Sequence, residues 1–468
     1  MISIDRTDGR TAVSPIAELR ALGLMALPIA LANLAEMAMM VTGLAGVGRL
    51  GETELAAVGF AGNMLWTWMF VTMGVLFSVG GLVAEAHGTG AVDAAARAAR
   101  QGLVVAAVLS PIAMLGVWEL GPGIAWLGQP PAVSNLASDY LRAFVWSVPA
   151  ILWFIVLQRF VSGLFRPRVV TFILWGGVGL NVLAVQALVF GRFGMPALGV
   201  AGAGWAAVVV CWSELFVFIA AIAFDPRYRT YRLFAGPFDL HWPTLADILR
   251  IGWPIGAALA LESSVFAAAG ALVGRFGTAA LAAHQIAISL SSISYMITMA
   301  LSQAATYRVA HAAGADRPAA ARQSGLIAIG AGACFMLASA IVIWIMPDVL
   351  SGFFLGTATV SNEETRMVAR TLLRVLAIFQ VADGVQCVAG GALRGIRDTR
   401  PALIGGFVGY WVIGLSLGCA LAFPVGLGAV GIWWGLALGL WVVAVYLTVR
   451  FARLMNRTPA GEGPWRPR

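Results

Sequence analysis

The chain has 468 residues, 60% of them hydrophobic and only 11% charged. A soluble domain is about 45–50% apolar and about 25% charged, so this composition cannot furnish a water-facing surface and belongs in lipid. The net charge of +8 rests on arginine, with 30 basic residues and no lysine, spread through short stretches between apolar runs. That scatter argues against a nucleic-acid partner and reads as topology charge.

A membrane helix needs about 20 mostly apolar residues. Twelve such runs start near Ile16, Leu55, Ala98, Leu136, Val169, Val200, Leu245, Leu281, Ala320, Met367, Ala402 and Val430. Residues 1–224 form a first set of six and residues 244–468 a second. Between them, residues 225–243 carry Asp225, Pro226, Arg227, Arg229, Arg232 and Pro237 and read as a cytoplasmic linker. No small-residue cleavage site follows the first apolar run, so no cleavable signal peptide is expected. With the N-terminus cytoplasmic, the termini and the even-to-odd loops hold 23 Arg and the opposite side 7. Arg159, Arg166 and Arg168 are counted here with the loop between helices 4 and 5. Both termini are expected in the cytoplasm of a bacterium, with the protein in its inner membrane.

The halves repeat at an offset of about 226 residues. Pro28-Ile29 recurs as Pro254-Ile255, Glu36 as Glu262, and Gly48-Arg49-Leu50-Gly51 as Gly274-Arg275-Phe276-Gly277. Gln158, Gly163 and Arg166 match Gln386, Gly391 and Arg394, and Gly199 and Gly202 match Gly428 and Gly431. Six spans per half is an even number, so both halves enter the membrane in the same sense. The expected fold is therefore all-α and polytopic, with twelve transmembrane helices in two pseudo-symmetric six-helix lobes. Such a parallel repeat places a substrate cavity between the lobes.

A carboxylate in the bilayer core costs a few kcal/mol or more. Within the apolar runs the acids are Glu36, Glu85, Glu214, Glu262 and Asp383. Glu262 precedes Gly274, the expected outer end of helix 7, by twelve residues, and Asp383 precedes Gly391, the expected inner end of helix 10, by eight. Both come out about 12 Å above the cytoplasmic face. Two neighbouring carboxyls can share a proton or hold a cation, as an ion-coupled carrier requires. The alternative for each is a neutral, hydrogen-bonded packing group. Glu36 is the repeat partner of Glu262, while the counterpart of Asp383 is the apolar Ile155. Glu85 reads as interfacial and Glu214 as structural.

His284 and Gln285 open helix 8 as secondary candidates, His284 as proton relay or packing group. No histidine has metal-ligand spacing, and Cys211, Cys334, Cys387 and Cys419 show no CxxC or Cys/His pattern, which argues against a metal centre or disulfide framework. No Walker loop points to ATP, and no nucleophile–base arrangement points to an enzyme. Met37, Met40, Trp66, Phe266 and Met296 could line a drug cavity, since pliant methionine and flat aromatic faces suit apolar cations.

The stretches Ile251-Gly-Trp-Pro254-Ile, Leu261-Glu262, Gly274-Arg-Phe-Gly277 and Ala283-His284-Gln285-Ile286-Ala287 resemble helices 7 and 8 of the multidrug and toxic compound extrusion (MATE) family. Gln380-Val-Ala-Asp383-Gly-Val-Gln386 and Gly391-Ala-Leu-Arg394-Gly395-Ile-Arg397-Asp398-Thr399 resemble its helix 10 and following loop. Gly191-Arg-Phe-Gly-Met-Pro196-Ala-Leu-Gly199-Val-Ala-Gly202 is similar to its helix 5–6 corner, and the acids in helices 7 and 10 fit the bacterial NorM-type branch. The resemblance implies a V-shaped cavity, alternating access, and export of amphipathic, often cationic drug-like compounds against inward Na⁺ or H⁺. It implies no cofactor, and Glu262 and Asp383 as the coupling-ion acids. No partner is expected beyond small-molecule substrates and membrane lipid, with the protein a monomer.

The chain departs from the pattern in its first half. Gly43 stands where bacterial members usually carry an Asp. Asn181 is kept in helix 5, but Val185 replaces the polar residue one turn later. Glu36, two turns before Gly43, could compensate. Two other readings are a flippase for lipid-linked substrates of the same superfamily, and a membrane structural or receptor protein. The first calls for Arg near mid-membrane in the early helices, where none is expected; the repeat and the buried acids disfavour the second.

Overall fold

The computed structural model describes residues 14–126, 128, 130–234, 239–356 and 363–456, and every regular element among them is helical. Pro237 and the terminal Arg6, Arg10, Arg457, Arg466 and Arg468 lie outside the described residues. Twelve helices are long and apolar enough to cross a membrane: α1 (Pro15–Gly48), α2 (Glu52–Gly88), α3 (Val92–Ile124), α4 (Pro131–Gly163), α5 (Arg168–Leu188), α6 (Gly199–Phe224), α7 (Trp242–Phe276), α8 (Thr278–Gly314), α9 (Pro318–Ile345), α10 (Glu363–Gly395), α11 (Arg400–Ala422) and α12 (Gly428–Asn456). Each expected start falls in the first two turns of its helix. Lipid offers no partner for a backbone N–H or C=O, so each run satisfies its own by coiling. Proline opens α4 and α9, where its missing donor costs nothing. A short helix, Pro347–Leu355, follows α9 and was not expected. Residues Phe407–Leu415 of α11 are wound as a π-helix.

The chain divides into two compact units, one of Met1–Leu27, Ala84–Gly90 and Ser264–Arg468, the other of Pro28–Val83 and Ala91–Ser263. Relative to a cut at 225–243, the start of α1 and the end of α2 go with the second half, and most of α7 goes with the first.

In the first-half unit, the exchange of α7 follows from glycine. A Cβ at Gly74 of α2 would lie 2.3 Å from the Cα of Gly256, and one at Gly252 would lie 2.1 Å from the carbonyl oxygen of Val75. Bare glycines let the two backbones touch. Ser78 Oγ donates to the Ile248 carbonyl at 3.1 Å, and the hydroxyls of Thr67 and Ser263 meet at 3.1 Å. The stretch after α6 is anchored to the same unit. Asp225 caps a turn of helix (Pro226–Arg229) by accepting from the Arg227 amide at 2.9 Å. Tyr228 is buried, with its ring and that of Tyr231 against Phe160. Burial pushes both phenols above their ordinary pKa, against the opposing pull of Arg166. Gln101 Nε2 donates to the Asp239 carbonyl at 2.6 Å.

In the second-half unit, α8 and α10 lie in close contact. A Cβ at Gly391 would stand 2.4 Å from Ser302 Oγ. Ser302 donates to the Cys387 carbonyl at 2.6 Å, Thr306 to the Gly391 carbonyl at 2.8 Å, and Arg394 to Ser302 Oγ at 2.7 Å. The start of α1 and the end of α2 dock on this unit through ion pairs. Arg308 pairs with Glu18, and Arg397 Nε donates to Glu85 Oε2 at 2.8 Å. Glu85, expected at the interface, is thus a half-buried ion-pair partner.

Candidate functional site

Asp383 sits on α10 and is 4% exposed. Around its helix the second-half unit gathers polar and aromatic side chains in two chains of contact. Ser294 of α8 meets Ser339 of α9 at 2.9 Å, and Ser339 donates to Gln380 Oε1 at 2.9 Å, one turn before Asp383. The Phe379 ring packs edge-on against Phe266 at 6.0 Å and Trp433 at 5.8 Å. Trp433, fully buried, donates from Nε1 to His284 Nδ1 at 3.1 Å. This partner assigns Nδ1 as acceptor in neutral His284. The imidazole is 2% exposed and braced by an indole.

Glu262 is half-buried on α7, next to the Ser263 hydroxyl that meets Thr67, and lies in the first-half unit. Met37, Phe266 and Met296 are half-buried and Gln285 is exposed, so all four keep accessible surface.

Asn181 of α5 is buried and committed. Its amide donates to the Met39 carbonyl at 3.0 Å and to Thr42 Oγ1 at 2.9 Å, which ties α5 to α1. Beside it, Gly43 is open: a Cβ there would meet nothing within 4 Å. Val185 fills the contact with Gly46, where a Cβ would lie 2.5 Å from Val185 Cγ1.

Two turns earlier on α1, Glu36 is hydrogen-bonded to the Gln158 side chain and within Coulombic reach of Arg159. Arg159 is therefore no loop charge. It lies inside α4, 5% exposed, with its guanidinium carbon 3.9 Å from the centroid of the Phe77 ring. A buried guanidinium in an early helix, which the sequence reading did not anticipate, is here matched to the Glu36 carboxyl of the protein itself. Glu214 of α6, expected to be structural, is 8% exposed and within Coulombic reach of Glu36. The signal for this group was the pair of intramembrane acids; its basic member was hidden because Arg159 lies only one turn from the end of α4.

Among the described residues, no three His, Cys, Asp or Glu side chains gather as metal ligands, and the four cysteines are free thiols.

Twelve membrane-length helices, an internal repeat and buried intramembrane acids define a polytopic carrier. The MatE family model matches residues 28–186 and again 254–419, so both halves carry the same signature, and the chain belongs to the MATE family of membrane transporters. It is 38% identical over 454 residues to the probable multidrug resistance protein NorM of Pseudomonas aeruginosa, covering 96% of this chain and 92% of that one. It is 36% identical over 428 residues to the multidrug resistance protein NorM of Burkholderia vietnamiensis, covering 91% and 92%. Its fold matches the eukaryotic MATE transporter AtDTX14 with a TM-score of 0.84 at 20% identity, covering 96% and 99% of the two chains. It matches the Vibrio cholerae MATE transporter VcmN in its bent form with a TM-score of 0.82 at 18% identity, covering 94% and 98%.

Proposed function

We propose that this chain is a multidrug exporter of the NorM type, a secondary active antiporter that moves amphipathic, cationic compounds out across the bacterial inner membrane by alternating access. The carrying observation is its likeness to NorM multidrug resistance proteins, at 36–38% identity over more than nine-tenths of the chain. Inward Na⁺ or H⁺ drives export, with Glu262 and Asp383 as the coupling-ion acids. Their support is physical: a carboxylate inside a membrane helix is expensive, and each acid offers a group whose charge changes with ion binding. Met37, Phe266, Met296 and Gln285 supply accessible apolar and amide surface to the substrate. Both termini are cytoplasmic by the arginine bias, and the unit of function is the monomer.

The test is ethidium uptake into proteoliposomes under separately imposed Na⁺ and proton gradients. Wild type should respond to at least one gradient, and Glu262→Gln and Asp383→Asn should lose that response at equal protein content. Gradient-driven flux that survives both substitutions refutes the assignment of the acids; no flux in wild type under either gradient refutes antiport.

A further inference from the structure

The first-half unit holds an ionisable cluster that the coupling acids do not include. Glu36 comes from α1, Tyr140, Gln158 and Arg159 from α4, and Cys211 and Glu214 from α6. Glu214 is more than nine-tenths buried, and its Oε1 is fully enclosed with no hydrogen-bond partner. The carboxyl rests on α5 at Gly177, where a Cβ would stand 1.8 Å from Oε1. The absent side chain at Gly177 is what makes room for it. Glu36 is differently placed: its side chain keeps solvent exposure, takes a hydrogen bond from Gln158, and faces Arg159.

The charges do not balance when every group is ionised. Arg159 answers Glu36, and an ionised Glu214 is then an unpaired charge in a low-dielectric interior, which costs several kcal/mol. One proton removes the imbalance. Glu36 has the amide donor, the guanidinium and water, and so stays ionised at least cost. Glu214 has an enclosed oxygen with no donor, so the proton sits there. A metal cation would have to enter beside Arg159 and find a ligand shell; a proton needs neither.

The repeat sharpens this. Glu36 stands at the position of Glu262. At the spacing that aligns Gln158 with Gln386, Arg159 faces Cys387, and at the spacing that aligns Gly199 with Gly428, Glu214 faces Val443. Glu36 thus has a repeat equivalent and Glu214 has none, so the cluster joins one repeated acid to one private acid.

We propose that Glu36, Glu214 and Arg159 form a second proton site, in which Glu214 takes up and releases one proton per cycle and Arg159 neutralises Glu36. The titratable and charged groups facing this pair are Arg159 and Tyr140 from α4 and Cys211 from α6; α5 meets it with Gly177 and α2 with Phe77. The site rests on the transport reading only for the claim that its proton is used in export.

Infrared difference titration of the purified full-length protein reads the site without transport, because a protonated carboxyl has a carbonyl band that a carboxylate lacks. The wild-type carboxyl difference spectrum should hold a pH-dependent band that survives in the Glu262→Gln, Asp383→Asn double variant and is lost in Glu214→Gln. A band that persists in Glu214→Gln, or that answers Na⁺ and not pH, overturns the proposal. If Glu214→Gln does not yield monodisperse protein, Glu36→Gln carries the test: it should move the midpoint of the band, and an unmoved midpoint overturns the site. In proteoliposomes, Glu214→Gln should lose one proton per substrate exported, and an unchanged stoichiometry overturns the transport role. A wild type that moves no substrate refutes the transport reading alone, since the infrared band decides the site independently.

Discussion

Gly74→Ala tests how α2 positions Glu262. The new Cβ would stand 2.3 Å from the Cα and 2.5 Å from the amide nitrogen of Gly256, against an ordinary contact of 3.4 Å or more. Both obstructing atoms are backbone, so the helices must part by about 1 Å. The same movement takes Thr67–Ser263 and Ser78–Ile248, each at 3.1 Å, out of hydrogen-bond range. Overpacking costs about 1–3 kcal/mol, and each lost interhelical bond about 0.6 kcal/mol. Alanine's better helix propensity returns up to about 1 kcal/mol, leaving a net loss of about 1–3 kcal/mol. Because Glu262 adjoins Ser263, the carboxyl moves as well, and a misplacement of about 1 Å can reduce flux by about 100-fold. The assay is thermal unfolding followed by size exclusion, with ethidium flux at matched protein content. Gly62→Ala on the same helix is the control, since a Cβ there meets nothing within 4 Å. If Gly74→Ala melts with Gly62→Ala and transports as well as wild type, the close contact does not position Glu262.

Other perturbations give distinct outcomes. Asp383→Asn keeps the side-chain shape, so expression and melting temperature should hold while drug resistance in cells is lost; retained resistance removes Asp383 from the mechanism. Trp433→Phe deletes the donor to His284 Nδ1 and leaves a buried acceptor unpaired, at about 1–3 kcal/mol, read as a lower melting temperature. A double-mutant cycle of Glu85→Gln and Arg397→Met should give a coupling of about 1 kcal/mol in unfolding measurements, because the pair is partly shielded from water; zero coupling makes it an incidental surface contact. Gly43→Asp meets no steric obstacle at its Cβ, but an intramembrane carboxylate costs a few kcal/mol, so the melting midpoint should fall by several degrees; an unchanged midpoint would show that the new carboxyl finds a partner.

The helices were legible because each is a single uninterrupted apolar run, and lipid leaves such a run one backbone solution. The repeat was legible because proline, glycine and glutamate recur in register, and the family match begins at Pro28 and again at Pro254. Contacts between distant residues were not. Trp433 and His284 are 149 residues apart in sequence, so nothing beside His284 announced its partner. Arg159 reads as loop charge by position alone, and only the burial of α4 around it shows otherwise. The exchange of α7 had a signal that went unread: Gly252 and Gly256 have the four-residue spacing of a close helix crossing. The π-wound stretch of α11 depends on how its glycines meet α12, with a Cβ at Gly409 only 2.1 Å from Val443, a contact no local pattern encodes.

The glycine contacts and the charges obey different rules. Gly88 and Gly314 are repeat equivalents, as are Glu85 and His311. A Cβ at Gly88 would lie 2.1 Å from the His311 carbonyl oxygen, and one at Gly314 would lie 2.1 Å from that of Glu85. The contact is self-complementary, as a two-fold relation requires. The ion pairs around it are not repeated: Arg308 answers to Leu82, and Glu18 to Thr244. Asp383 likewise answers to Ile155, Arg159 to Cys387, and Glu214 to Val443. Backbone packing thus keeps the duplicated frame, while the private charges give each half its own electrostatics. Two halves with identical acids would bind the same ion with the same affinity. With an acid pair opposed by a guanidinium in one half and none at the equivalent position in the other, one frame can hold two sites that answer different ions or different pH.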